Sequence, residues 1–153
     1  MTLQSLRSSG SASASLEQSF ADLFLECPPG GAQRIRILVM GRAKALRPAV
    51  KEQIHLIGRE AVFNALRHSN ATSIEVEVEY LSRRLRVAVR DNGCGFDAKV
   101  LQSKQASHSG LLGMHDRATS IGADLRIWSR RESGTEVEVS ISSDLAVDAH
   151  TSL

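Results

Sequence analysis

The chain contains few of the residues that specialised proteins use in excess. Its 153 residues include two cysteines, one tryptophan, one tyrosine, four phenylalanines and three prolines. The cysteines, Cys27 and Cys94, provide neither a disulfide framework nor a zinc-ligand spacing, which favours a reducing compartment. Because aromatic residues make up only 4% of the chain, the core must consist mainly of leucine, isoleucine, valine and alanine.

Long apolar runs and strong net charge are missing as well. No segment approaches the roughly 20 apolar residues of a membrane-spanning helix, and the N-terminus lacks the apolar core of a signal peptide. The formal net charge is only +2. No run of Lys or Arg exceeds a pair, so the composition predicts no nucleic-acid partner and no membrane contact by this segment.

The apolar pattern predicts one domain, residues 16–142, between a flexible leader, 1–15, and a disordered polar tail, 143–153. Its alternating helices and strands indicate an α/β protein, a two-layer sandwich with helices on one face of a mixed sheet. The predicted helices span 16–26, 49–69 and 111–121, and the predicted strands span 33–40, 74–80, 84–90, 124–129 and 135–142.

An acidic residue and two glycines follow the strand 84–90, in the sequence DNGCGF. Asp91 continues the side of the strand that carries its apolar residues, so its carboxylate is expected to lie in line with the buried face. Such a group needs a hydrogen-bond donor, and the exocyclic amino group of a ligand would serve. Gly93 and Gly95 are expected to take positive φ and to allow close approach, while Asn92 is expected to be a turn residue that tolerates the left-handed region.

The long helix 49–69 carries a polar arc beside its apolar face. Glu60, Asn64, Arg67 and His68 stand at spacings that bring them to one rim. An amide oxygen together with phosphate oxygens suits Mg²⁺, which prefers hard ligands. Without other motifs, however, a solvated helix flank explains the same pattern.

The glycines of GLLGM, Gly110 and Gly113, bracket the start of the helix 111–121. Free backbone N–H groups and the helix dipole at such a position favour anions, and Leu111, Leu112 and Met114 are expected to pack in the core. The chain has no GxxxxGK[ST] loop, so Arg117 and His68 are candidate cations for a phosphate. A tight loop packed on the core is the alternative.

Four segments follow one another in the order GREAVFNALRHS, DNGCGF, GLLGM and SGTEV, and the resemblance that they carry covers about residues 33–141. In this order the chain resembles the ATP-binding domain of bacterial sensor histidine kinases, in the family shared with Hsp90, MutL and DNA gyrase, and specifically the subgroup with a short lid. The resemblance implies a Bergerat-type fold that binds ATP and Mg²⁺, with residues 97–109 as the lid.

The resemblance also implies a role for each candidate residue. Asn64 binds Mg²⁺, Glu60 orients a water or supports the metal, and Arg67 or His68 meets the phosphates. Asp91 accepts a hydrogen bond from the adenine amino group, and Thr135, which begins the last strand, supports Asp91. The remaining positions expected to contact nucleotide are Gly93, Gly95, Gly110, Leu111, Gly113, Met114 and Arg117.

The implied function is transfer of the ATP γ-phosphoryl group to a histidine on a dimerisation domain, followed by signalling to a response regulator. None of the five histidines has the expected acceptor context, so the acceptor domain is predicted to lie outside this chain. The chain is thus expected to be the cytoplasmic portion of a membrane-anchored sensor. The alternatives are an anti-sigma-factor-type Ser/Thr kinase, a dinucleotide-binding module, since Gly93–Ala98 loosely fits GxGxxA, and a non-catalytic adenine-nucleotide-binding domain.

Overall fold

The computed structural model describes residues 15–68, 70–95 and 110–148. Within these ranges, four helices and five strands follow one another, with short 3₁₀ turns at Leu23–Leu25 and Ala32–Arg34. The helices are α1 (Leu16–Asp22), α2 (Pro48–His68), α3 (Leu111–Ser120) and α4 (Ser143–Ala146), and the strands are β1 (Ile35–Met40), β2 (Ile74–Tyr80), β3 (Arg84–Asp91), β4 (Asp124–Arg130) and β5 (Gly134–Ser142).

The five strands form one mixed sheet in the order β1-β2-β3-β5-β4. β1 runs parallel to β2, and the other neighbouring pairs are antiparallel. The register of β2 and β3 places Val76 opposite Val89 and Val78 opposite Val87. These apolar pairs give the sheet one buried face, as the alternation of the sequence predicts.

Helix α2 covers the buried face with an apolar stripe. Ile54, Ala61, Val62 and Ala65 are all buried, and their spacing brings them to one side of the helix. Within the described residues, no helix is both long and apolar enough to cross a membrane. The predicted two-layer α/β arrangement is therefore confirmed, and α2 lies where its polar rim can border a site at the sheet.

Helix α1 docks on α2 through an aromatic side chain. Ser15 caps α1, since its Oγ accepts a hydrogen bond from the Gln18 N–H at 3.2 Å. The helix begins at Leu16, the residue at which the predicted domain begins. Phe20 stacks on His55 with ring centroids 5.7 Å apart, and it occupies the space where a Cβ at Gly58 would lie. The remainder of the predicted leader, residues 1–14, lies outside the described residues.

The predicted disordered tail is wrong for residues 143–148. Ser142 caps the short helix α4 through a hydrogen bond from the Asp144 N–H at 3.3 Å, and Ala146 is fully buried. Val147 then forms a β-bridge with Leu46. The polar composition of the tail conceals these contacts because its apolar residues beside them form only a short run, Leu145–Val147. Residues 149–153 lie outside the described residues.

Candidate functional site

The end of β3 carries the half-buried carboxylate of Asp91. In the sheet, Asp91 lies between Ile74 of β2 and Thr135 of β5. Its Oδ1 accepts a hydrogen bond from the Gly93 N–H at 2.8 Å, which orients the side chain. Asp91 therefore continues the apolar side of β3 as predicted, because it stands in the row of Leu85, Val87 and Val89, all of them buried.

The glycines after Asp91 pack against the turn that joins β4 to β5. Gly95 has a φ of +64°, in the left-handed region, whereas Gly93 is not among the glycines with positive φ. A Cβ at Gly95 would overlap the carbonyl oxygens of Arg130 and Gly134, and the Glu132 N–H donates to the Cys94 carbonyl. The backbone approach expected at Gly95 is thus an approach to this turn.

A pair of hydroxyl groups borders the acid. The Oγ of Ser129 and the Oγ1 of Thr135 lie 2.8 Å apart, and Thr135 is the direct strand partner of Asp91. Ser129 was not predicted as a site residue. Its proximity to Thr135 follows only from the pairing of β4 with β5, which places the two residues opposite each other in the hairpin and on one face of the sheet.

A concavity of about 590 Å³ opens at this end of β3, β4 and β5. Asp91, Ser129 and Thr135 contribute to its lining, and so do Trp128 and Glu136. Successive strand residues face opposite sides, so the lining combines both faces of the sheet at the strand ends. The volume is within the range of small-molecule sites.

Asn92 has a different role from the one its turn propensity suggested. Its Oδ1 accepts hydrogen bonds from the N–H groups of Thr72 and Ser73, at 3.0 and 2.9 Å, and its Nδ2 donates to the Thr72 Oγ1 at 2.9 Å. Asn92 does not use the left-handed region that it tolerates, since it is not among the residues with positive φ. Asn92 fixes the end of β3 to the segment before β2.

A second part of the site lies where α3 begins beside α2. Gly110 precedes α3 with a φ of +80° and no side-chain cap, and a Cβ there would overlap the carboxylate of Glu60. This carboxylate therefore lies at the helix N-terminus, where the helix dipole favours negative charge. Leu111 and Met114 are buried as predicted, but the prediction is wrong for Leu112, which is 57% exposed. The Cβ position of Gly113 is open.

The other polar residues predicted on α2 are divided between two rows of the helix. Asn64 is half-buried one turn after Glu60. The side chain of Arg67 contacts Phe63 instead. Its Nε donates to the Phe63 carbonyl at 3.3 Å, and its guanidinium lies 5.8 Å from the Phe63 ring centroid. The side chain of His68 lies outside the described part of the chain.

The structure does not bring Arg117 to the start of α3. Its Nη1 donates to the Oε1 of Gln53 at 3.1 Å. Gln53 precedes Glu60 by seven residues, and Arg117 follows Gly110 by seven. The two contacts show that α2 and α3 run antiparallel, with Arg117 about two helical turns from the Glu60–Gly110 contact.

The donor set restricts how a metal could bind. Within residues 15–68, 70–95 and 110–148, no three His, Cys, Asp or Glu side chains cluster closely enough to hold a metal ion. A cation that binds beside Asn64 and Glu60 must therefore take most of its ligands from phosphate oxygens and water. Mg²⁺ bound with a nucleotide coordinates in this way, so these residues fit Mg²⁺ as part of a nucleotide complex.

Comparisons with known proteins agree with this geometry. The chain is 41% identical over 90 residues to the nitrate/nitrite sensor protein NarX of Escherichia coli (strain K12), which covers 58% of this chain and 14% of that protein. It is 40% identical over 92 residues to the sensor protein VraS of Staphylococcus aureus (strain COL), which covers 59% of this chain and 25% of that protein. The chain thus matches a quarter or less of either relative's length.

Solved structures confirm the fold. The Acinetobacter baumannii histidine kinase AdeS superposes with a TM-score of 0.68 at 14% sequence identity, over 84% of this chain and 64% of that one. A family model also matches the sequence, from residue 49 to residue 145, and so spans α2, the four strands β2–β5 and most of α4. The chain belongs to the family of histidine kinase-, DNA gyrase B- and HSP90-like ATPases.

Proposed function

We propose that this domain binds Mg-ATP as the catalytic part of a sensor histidine kinase and donates the γ-phosphoryl group to a histidine on a dimerisation domain. The observation that carries the proposal is the inward-facing carboxylate of Asp91 at a strand end, in a chain of this ATPase family. Sequence identity to NarX and VraS, which are named as sensor proteins, supports the sensor role.

In this proposal the strand end recognises adenine. Asp91 accepts a hydrogen bond from the 6-amino group, and guanine is rejected because it presents an oxygen at that position. Thr135 and Ser129 support the acid through their paired hydroxyl groups, which lie beside it on the sheet. Gly93 adds no side chain next to this acid, and Gly95 lets the backbone after it pack on the turn between β4 and β5.

The start of α3 receives the phosphates. Backbone N–H groups at Gly110, Leu111 and Gly113 offer donors at the positive end of the helix dipole. Met114 does not add to them, because its N–H donates to the Gly110 carbonyl at 3.1 Å. Asn64 would hold Mg²⁺, which neutralises phosphate charge when bound. Glu60 positions water beside the metal. Arg67 and His68, near the end of α2, are the candidate cations, whereas Arg117 contacts Gln53 and is not assigned to the phosphates.

The proposed reaction is an in-line displacement. The bond from the γ-phosphorus to the β–γ bridging oxygen breaks, a bond to an imidazole nitrogen of the acceptor forms, ADP leaves, and the imidazole proton is released. The acceptor is its own nucleophile, so this domain contributes position and charge neutralisation. A response regulator then takes the phosphoryl group, and the domain works as the cytoplasmic portion of a membrane-anchored sensor.

The dinucleotide-binding alternative conflicts with the topology. A GxGxxA loop of that class follows the first strand of a parallel βαβ unit, whereas β3 is antiparallel to both of its neighbours. An anti-sigma-factor-type Ser/Thr kinase would share this fold and is distinguished only by its acceptor. Phosphotransfer to a supplied histidine-bearing dimerisation domain, with acid-labile and base-stable product, separates the two.

Nucleotide titration of Asp91→Asn tests the proposal. The parent should bind ADP with Mg²⁺ and should bind neither GTP nor NAD. The variant should bind ADP between about 10-fold and 100-fold more weakly, because a hydrogen bond to a charged group contributes about 1.5–3 kcal/mol. Isothermal titration calorimetry measures the affinity directly, and thermal melting with and without ADP reports the same linkage.

Asp124→Asn is the matched control. Asp124 is an exposed acid at the start of β4, and its only described ion pair is with Arg84 at 3.5 Å, so this variant should bind ADP like the parent. Asn64→Asp should change the dependence on Mg²⁺. The proposal is rejected if the parent binds no adenine nucleotide, or if Asp91→Asn and Asp124→Asn bind ADP equally well.

A further inference from the structure

The solvent-facing side of the sheet, here named the outer face, carries charge in columns of alternating sign. Each strand contributes the residues that alternate with its buried positions. In sheet order, β2 presents Glu75, Glu77 and Glu79, β3 presents Arg84, Arg86 and Arg90, β5 presents Glu136 and Glu138, and β4 presents Arg126, Trp128 and Arg130.

The inner columns neutralise one another. Arg90 contacts Glu77 at 2.7 Å on one side and Glu136 at 2.6 Å on the other. Arg86 contacts Glu77 at 2.7 Å and Glu138 at 2.9 Å in the same manner. Both acids of β5 are thus engaged by arginines of β3.

The column on β4 is left without this neutralisation. Trp128 is the strand partner of Glu136, and Arg126 is that of Glu138, but those acids point to β3. Arg126 and Arg130 are exposed and form no ion pair with any other residue of the described ranges. Trp128, 47% exposed, stands between them.

β4 also has backbone N–H and C=O groups along its outer edge that no described strand pairs with. β4 is the last strand of the sheet and pairs only with β5 among the described strands. Its inner-face residues at this edge, Leu125 and Ile127, are only partly buried. A segment laid along the edge would therefore gain main-chain hydrogen bonds, apolar contact on one face and charge pairing on the other.

We propose that β4 binds an extended acidic polypeptide segment, which adds to the sheet as a sixth strand. Its outward side chains would place acids beside Arg126 and Arg130 and a small residue beside Trp128, which continues the alternation of charge across the sheet. Its inward side chains would be apolar and would cover Leu125 and Ile127.

Two other occupants fit the edge less well. A second copy of β4, paired antiparallel about Trp128, would bring Arg126 of one copy beside Arg130 of the other, and this repulsion protects the edge from self-pairing. A nucleic acid would meet the two arginines but would leave the backbone groups of β4 and the apolar pair at Leu125 and Ile127 unused.

The test uses the whole chain and a fluorescein-labelled peptide with the core Val-Glu-Val-Thr-Val-Glu-Val. This core reads the same in both directions, so it matches either strand polarity. Fluorescence anisotropy should show saturable binding, and Arg126→Gln with Arg130→Gln should weaken it about 3- to 30-fold, as two exposed charge pairs allow. Amide hydrogen exchange should slow in β4 and remain unchanged in β1.

Matched controls separate this surface from general charge. Arg42→Gln with Arg83→Gln removes two exposed arginines elsewhere and should leave the affinity unchanged. A peptide with Lys in place of Glu should bind the parent at least tenfold more weakly, and Arg126→Glu with Arg130→Glu should reverse that preference. Thermal melting verifies that each variant is folded.

Three results would overturn the proposal. The first is peptide binding that both arginine pairs weaken equally. The second is peptide-independent dimerisation through β4, measured by light scattering. The third is tighter binding of a 12-nucleotide oligothymidylate than of the acidic peptide, with dependence on Arg126 and Arg130.

Discussion

The two ends of the candidate site each contain a left-handed glycine, but different atoms lie against it. At the strand end, Gly95 (φ +64°) faces the backbone carbonyls of Arg130 and Gly134. At the helix end, Gly110 (φ +80°) faces the terminal atoms of the Glu60 side chain. A backbone carbonyl in a hairpin turn cannot move without disturbing the sheet, whereas a glutamate can change rotamer.

Because of this difference, we expect the strand end to be more rigid than the helix end. The strand end is held by main-chain contacts, by the Ser129–Thr135 hydroxyl pair and by the Asn92 side chain, which is bonded to Thr72 and Ser73. The helix end depends on one flexible carboxylate. A rigid strand end suits recognition of an invariant base, and an adjustable helix end suits phosphate groups whose number changes during the reaction.

Gly95→Ala should disrupt the packing at the strand end and should cause the largest loss of stability among these variants. An added methyl group must overlap a backbone carbonyl, and alanine must adopt a left-handed φ. We expect a loss of about 2–4 kcal/mol in the free energy of unfolding. Urea denaturation followed by far-ultraviolet circular dichroism measures this loss. A loss below 1 kcal/mol would show that the turn at Arg130 yields, and the strand end would then not be the rigid one.

Gly110→Ala should have a smaller effect, because only the left-handed φ resists the change. We expect a loss of about 1–2 kcal/mol, together with displacement of the Glu60 carboxylate. Glu60→Ala in the same chain removes the overlapping atoms. The double variant should therefore be no less stable than Gly110→Ala alone, and a double-mutant cycle gives the coupling energy.

The coupling energy between Gly110→Ala and Glu60→Ala decides whether the helix end differs from the strand end as described. If Glu60→Ala relieves Gly110→Ala by several tenths of a kcal/mol or more, a side chain is the neighbour that matters at the helix end. Strict additivity would mean that the two residues do not interact, and the proposed difference between the ends would be lost. Glu52→Ala, at an exposed position of the same helix, supplies the additive reference.

The strand end was largely predictable from the sequence, for a physical reason. A strand has a side-chain period of two, so Val87 and Val89 determine the face of Asp91 with no knowledge of the fold. The apolar stripe of α2 was predictable in the same way. Ser129 was the omission, because its proximity to Thr135 requires the pairing of β4 with β5, which no local pattern specifies.

The helix end was less predictable because long side chains select partners in three dimensions. Arg67 fits a polar arc with Glu60 by spacing alone, yet it lies on the Phe63 ring. Arg117 was a candidate for phosphate, yet it contacts Gln53 across the antiparallel helix pair. Helical spacing determines where a Cα lies, but the direction of a flexible guanidinium depends on neighbours from other elements.

The smallest expected effect concerns the outer face behind the strand end, where acid should weaken the sheet. The hydrogen bond from Arg90 holds the pKa of the Glu77 carboxyl below its usual 4.5. A depressed pKa in the folded state means that this contribution is complete above about pH 4.5 and is lost as the pH falls through the folded value. Glu77→Gln should cost about 1 kcal/mol at pH 7, and its difference from the parent should shrink as the pH falls through the folded-state pKa of Glu77. Urea unfolding at pH 7, 5, 4 and 3 measures this convergence, with Glu52→Gln as the reference that should track the parent throughout. A Glu77→Gln deficit that does not shrink between pH 7 and pH 3 would show that side-chain packing, and not the charge on this acid, stabilises the sheet beside Asp91.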